Sequence, residues 1–75
     1  MTEIRMPKPG EAIQEAILGE LVVADGEMAT EGSELYVVET DKVAMSIDAP
    51  ASGIMRWQAE EGETYPVGHL LGVIE

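Results

Sequence analysis

Seventy-five residues carry fifteen acidic against four basic side chains, a formal net charge of -11, with 45% hydrophobic residues and no cysteine. A chain this short buries only ~60% of its unfolded surface, which excludes a deep enzyme cleft, and the missing cysteines exclude disulfide staples and a Cys-based zinc site. So negative a field repels phosphate backbones and anionic lipid, leaving neither nucleic acid nor membrane as a partner.

The N-terminal Met1-Thr-Glu-Ile-Arg-Met-Pro lacks a basic stretch followed by an apolar one, and no apolar run approaches the ~18 residues of a membrane span. A soluble, unexported single domain over residues 1–75 is expected. Glycine or proline recurs too often for a sustained helical apolar stripe, so the chain reads as short strands and turns.

In chain order, strands are expected over 2–6, 15–23, 34–39, 43–48, 53–59 and 70–74. Pro7-Lys8-Pro9-Gly10 opens a surface loop after the first. Glu34-Leu-Tyr-Val-Val-Glu39 is rich in strand formers. In Val43-Ala-Met45-Ser-Ile47-Asp48, large apolar residues alternate with small or polar ones, as one buried face requires, and Pro50 ends the ladder. Only Thr40-Asp41-Lys42 separates these two runs, which predicts a β-hairpin with Asp41 and Lys42 at its tip.

An internal repeat spans the second half at an offset of 36 residues: Gly26-Glu27 recurs as Gly62-Glu63, Gly32 as Gly68, Leu35 as Leu71, Val37-Val38 as Val73-Ile74 and Glu39 as Glu75. The glycines suit turns with positive φ, and the leucines suit inward positions on equivalent strands. Neither half buries a core alone. Two small antiparallel sheets packed face to face about a pseudo-two-fold axis are therefore expected, with the chain ends at the pole opposite Lys42.

Catalytic constellations are scarce. Thr2, Ser33, Thr40, Ser46 and His69 sit in no nucleophile elbow, phosphate loop or His-ligand motif, and His69 reads as a surface or edge residue. Glu60-Glu61 and the Glu11/Glu15 pair lack calcium-loop spacing and read as solvated charge. Trp57 and Tyr65 read as core or rim packing, Met45 as core-facing, and Met6, Met28 and Met55 as gap-fillers.

Lysine differs, because the chain has only Lys8, between prolines, and Lys42, at the hairpin apex. An apex held by two paired strands offers its amine to another enzyme's active site. The neighbouring Asp41 and Glu39 favour a charged ammonium, so Lys42 reads as a substrate for a modifying enzyme and a poor Schiff-base nucleophile.

Glu39-Thr40-Asp41-Lys42-Val43, within the run from Val37 to Gly53, resembles the lipoylation segment of 2-oxo acid dehydrogenase acyltransferase subunits. Met6-Pro7, Gly10-Glu11, Glu15, both Gly-Glu turns and Pro50 extend the resemblance over essentially the whole chain. It implies an all-β flattened sandwich or barrel of eight strands, a lipoyl- or biotinyl-carrier type fold, with lipoic acid amide-linked to Lys42 and Glu39, Thr40, Asp41 and Val43 as flanks. It further implies a non-catalytic swinging-arm carrier, monomeric in isolation. Its partners would be a thiamine-diphosphate 2-oxo acid decarboxylase, an acyltransferase core that loads coenzyme A, dihydrolipoamide dehydrogenase and a lipoyl ligase or transferase. The location implied is cytoplasmic in a bacterium and the mitochondrial matrix in a eukaryote.

The resemblance places partner discrimination in residues 8–14, including Lys8, Pro9, Gly10, Glu11, Ala12 and Ile13. Relatives often have Gly-Glu-Gly there and a Gly after Glu15, where this chain has Ala12 and Ala16. A biotinyl carrier of a biotin-dependent carboxylase shares the fold, but its Ala-Met-Lys-Met signature is absent: Asp41 precedes the lysine and Met45 lies three residues after it. A glycine-cleavage carrier protein is normally much longer, and an unmodified acidic interaction module would not need Lys42. The parent is expected to be a longer acyltransferase continuing beyond residue 75, or the chain to be an excised domain.

Overall fold

A computed structural model describes all residues, 1–75. Eight strands form two four-stranded antiparallel sheets. In chain order they are β1 (Thr2–Arg5), β2 (Glu15–Leu21), β3 (Met28–Ala29), β4 (Glu34–Glu39), β5 (Ala44–Asp48), β6 (Gly53–Trp57), β7 (Thr64–Pro66) and β8 (Leu70–Ile74). One sheet has the order β1-β8-β6-β3 and the other β5-β4-β2-β7.

Exchanging β1 with β5, β8 with β4, β6 with β2 and β3 with β7 converts one order into the other. The repeat is the sequence trace of that exchange. Gly26, Gly62, Gly32 and Gly68 all have φ between 86° and 90°, the left-handed region in which a Cβ is strained. Leu35 and Leu71 are both fully buried, in a core that also holds Met6, Leu18, Val38, Met55 and Ile74. Each sheet contributes alternate residues to that layer, so neither folds its apolar face without the other.

The expected strands are present, with differences at their ends. The first stops at Arg5 because the register shifts between Ile4 and Arg5, although the Met6 amide still donates to the His69 carbonyl at 2.9 Å. The second stops at Leu21, where the Val22 and Val23 amides both turn onto the Leu35 carbonyl. The sixth stops at Trp57, and Val43 lies outside β5. β3 and β7, two and three residues long, carry no alternation that the sequence pattern reveals.

Two side chains depart from expectation. Met45 is half-buried and outside the core cluster, because β5 is an edge strand with its inner face only partly covered. Met28 is 62% exposed and fills no gap. Trp57 and Tyr65 pack against the core rim as expected: the Trp57 indole N–H donates to the Val23 carbonyl at 2.8 Å, and the Tyr65 hydroxyl accepts from the Glu60 amide at 2.9 Å.

The termini share one end of the sandwich. Thr2 pairs with Ile74, while Glu75 exchanges both backbone hydrogen bonds with Ile54. That end joins the base of the β4–β5 hairpin, since the neighbouring Glu31 amide donates to the Ser52 hydroxyl and the Ala49 amide to the Ser33 carbonyl. From base to tip the hairpin runs through five paired positions, Glu34↔Asp48 to Glu39↔Ala44. The tip is thus carried to the opposite pole, as the symmetry predicts.

Candidate functional site

The β4–β5 ladder closes at Glu39↔Ala44, and Thr40 then organises the tip. Its backbone amide donates to the Val43 carbonyl at 2.8 Å. Its Oγ1 accepts from the Lys42 amide at 3.3 Å and the Val43 amide at 3.1 Å, and contacts the Val43 carbonyl at 3.4 Å. Threonine side chains mimic a backbone turn in this way, fixing a short loop without a glycine. The backbone of Lys42 is therefore held while its side chain is free.

Asp41, Lys42 and Val43 are all exposed, Val43 at 50%. The Lys42 ammonium makes no ion pair; the chain has two, Arg5 with Glu3 and Arg56 with Glu75. Neither flanking carboxylate contacts the amine directly. Glu39 turns back over Gly19 instead, where an added Cβ would meet its Oε2 at 2.5 Å. An amine so presented can be approached by a second protein's active site and cannot act as a desolvated nucleophile by itself.

The loop at residues 8–14 reaches the same pole. Ile17 pairs with Glu39, so the entrance of β2 lies beside the end of the hairpin, and the Ile13 amide closes a turn onto the Gly10 carbonyl at 3.1 Å. Pro9, Gly10 and Ile13 are half-buried, whereas Lys8, Glu11 and Ala12 are exposed. Lys8, Ile13 and Gln14 line a shallow depression with Pro66 and Val67, to which Gln14 is tied through the Val67 amide at 2.9 Å.

Pro66 and Val67 were not foreseen as part of this surface. Their only sequence signal is the repeat, which makes the 66–69 turn the counterpart of residues 30–33. His69 is exposed and stacks on Tyr65 with ring centroids 4.9 Å apart, a surface residue as expected. No group of three or more His, Cys, Asp or Glu side chains is arranged to hold a metal ion.

Two pseudo-symmetric sheets that carry one pinned, unpaired lysine on a hairpin tip define a carrier-type domain, which presents a side chain to other proteins. Residues 2–74 match the family described as biotin-requiring enzyme, the biotin/lipoyl family. The chain is 40% identical over 72 residues to the dihydrolipoyllysine-residue acetyltransferase component of the acetoin cleaving system of Pseudomonas putida, covering 95% of the chain and 20% of that protein. It is 39% identical over 75 residues to the succinyltransferase component of the 2-oxoglutarate dehydrogenase complex of Bartonella vinsonii subsp. berkhoffii, covering 99% and 18%. The solved lipoyl domain of the Azotobacter vinelandii 2-oxoglutarate dehydrogenase complex superposes with a TM-score of 0.83 at 29% identity, covering 100% of this chain and 96% of that one. The chain belongs to the biotin/lipoyl family and is a lipoyl domain. Such a domain is a carrier and not itself catalytic; this chain spans about a fifth of the length of the relatives it matches.

Proposed function

We propose that Lys42 is the attachment residue and that it carries lipoic acid in amide linkage, the domain serving as the swinging arm of a 2-oxo acid dehydrogenase complex. The observation that carries this reading is the free, exposed Lys42 side chain on a tip whose backbone is pinned by Thr40. The residues present fit the group. An exposed primary amine with no ion-pair partner accepts an acyl group without breaking any contact in the fold.

When bound, the group supplies disulfide, dithiol and acyl-thioester chemistry that the cysteine-free chain lacks. Thr40 holds the attachment point, and the exposed Asp41 and Val43 flank it as the surface a modifying enzyme reads. The 8–14 loop, sharing the pole, is the surface read by the 2-oxo acid decarboxylase. The acyltransferase core and a dihydrolipoamide dehydrogenase are the other partners in this reading. Tethering raises the arm's local concentration at each of their active sites without new contacts.

Relatives named for lipoyllysine and the non-methionine flanks Asp41 and Val43 favour lipoate over biotin. Incubation with lipoate, ATP and a lipoyl ligase should add one lipoyl group, absent in Lys42→Ala. Equal labelling of Lys42→Ala, or biotinylation by a biotin ligase in preference to lipoylation, refutes the reading.

A further inference from the structure

The two flanks of the sandwich are closed differently. On the β3/β7 flank, the Trp57 indole caps Val23, the Trp57 amide donates to Asp25 at 2.7 Å, the Leu21 amide to Glu61 at 3.1 Å and the Gly62 amide to Leu18 at 2.7 Å. On the other flank the edge strands β1 and β5 face each other with no hydrogen bond between them. A groove of about 240 Å³ opens there.

Its walls are apolar, with Ile4 and Ile47 from the two strands and Pro7 and Pro50 at the ends. Tyr36 lies in its lining, only 2% exposed, and its hydroxyl makes no hydrogen bond within the protein. No enclosed side-chain polar atom in the chain lacks a partner, so this hydroxyl keeps contact with solvent, and the groove is the opening that Tyr36 lines. The Tyr36 phenol, which burial pushes up to about 12, is neutral at physiological pH and can accept a hydrogen bond.

The charges at the rim are not equivalent. Glu3 is taken by Arg5 at 2.9 Å, and Arg5 also donates to the Gly68 carbonyl at 2.9 Å. Glu34, directly across the ladder from Asp48, accepts from the Ser46 hydroxyl. The Asp48 carboxylate has no ion pair or hydrogen bond, and the residue is exposed at the groove. One free carboxylate, a neutral acceptor and an apolar slot are the complement of an ammonium on a methylene stem. The volume lies below the ~300–1,000 Å³ typical of small-molecule sites and matches about eight waters at ~30 Å³ each, room for a single long side chain.

We propose that the groove between β1 and β5 is a docking site for a lysine side chain of a partner protein, its stem between Ile4, Ile47 and the two prolines and its ammonium shared by Asp48 and the Tyr36 hydroxyl. The site is separate from Lys42 and does not depend on its modification.

The test is an amide-resolved NMR titration of the 75-residue chain with acetylated, amidated Val-Lys-Val, alongside the norleucine and glutamate versions of the peptide. The lysine peptide should give saturable shifts confined to β1, β5 and the Trp57 indole that meets Tyr36 edge-on. The norleucine peptide should bind at least five-fold more weakly and the glutamate peptide not measurably. Asp48→Asn should weaken binding of the lysine peptide three- to ten-fold and Tyr36→Phe about three-fold, each variant keeping wild-type dispersion elsewhere. Unsaturable shifts spread over the acidic surface, equal binding of the norleucine peptide, or unchanged binding by Asp48→Asn would overturn the proposal. Should Tyr36→Phe alter the fold, Asp48→Asn alone decides, because the Asp48 side chain is exposed and makes no hydrogen bond or ion pair within the protein.

Discussion

Removing the Thr40 hydroxyl separates the pinned tip from the mere presence of a lysine. Thr40→Ala deletes an acceptor for two amides, those of Lys42 and Val43. A net hydrogen bond contributes about 0.5–1.5 kcal/mol, and at this half-exposed position water replaces part of it, so the combined cost is about 1 kcal/mol. For a domain of this size that lowers Tm by about 4–8 °C. The same 1 kcal/mol, acting locally, reduces the population of the ordered tip by up to ~5-fold, which a ligase experiences as a raised KM for the domain at unchanged kcat. Calorimetry, hydrogen exchange of the Lys42 amide and lipoylation kinetics read the three effects. Thr40→Ser, which keeps the oxygen, should restore the KM and the exchange rate. Wild-type KM and unchanged Lys42 exchange in Thr40→Ala would show that the hydroxyl does not organise the site.

The pseudo-symmetry predicts that Leu35→Ala and Leu71→Ala, both at fully buried positions, each cost about 2–5 kcal/mol and agree within about 1 kcal/mol in urea melts; a wide disparity would contradict equivalent cores. Gly62→Ala carries a strained φ of 90° in open space and should cost about 1–2 kcal/mol. Gly53→Ala also drives a methyl into the Glu75 carbonyl and within 2.8 Å of Ile74, so it should be the more damaging by denaturation midpoint, and equal midpoints would refute that contact. Burial raises the Tyr36 phenol from 10.0 to about 12, so the folded state retains its proton where the unfolded state loses it. Its contribution is therefore complete below pH 10 and is lost as pH rises from 10 to about 12, with a slope approaching ~1.4 kcal/mol per pH unit. Tyr36→Phe should flatten the urea stability curve over that window, and an unchanged alkaline slope would count against it.

How far the sequence revealed these features follows from the range of the forces involved. The hairpin was legible because its signals are local: two runs of strand formers, a three-residue gap and Pro50 beyond. The sandwich was legible because a repeat of turn glycines and inward leucines leaves few ways to share one core. β3 and β7 were not, since strands of two and three residues exist only through long-range pairing of Met28 with Ile54 and Glu15 with Pro66. The resting place of the Glu39 carboxylate was not legible for the same kind of reason. It lies over the cross-strand neighbour Gly19, which nearness in sequence does not disclose. The half-burial of Met45 depends on β5 being an edge, which alternation along one strand cannot disclose.

Whether Lys42 is the lipoylated residue can be read by fragment mass spectrometry of the chain after incubation with lipoate, ATP and a lipoyl ligase. A single lipoyl group on Lys42 is expected, with Lys8 and the N-terminal amine unmodified. Modification of Lys8, or an unmodified Lys42 in a correctly folded chain, would contradict it.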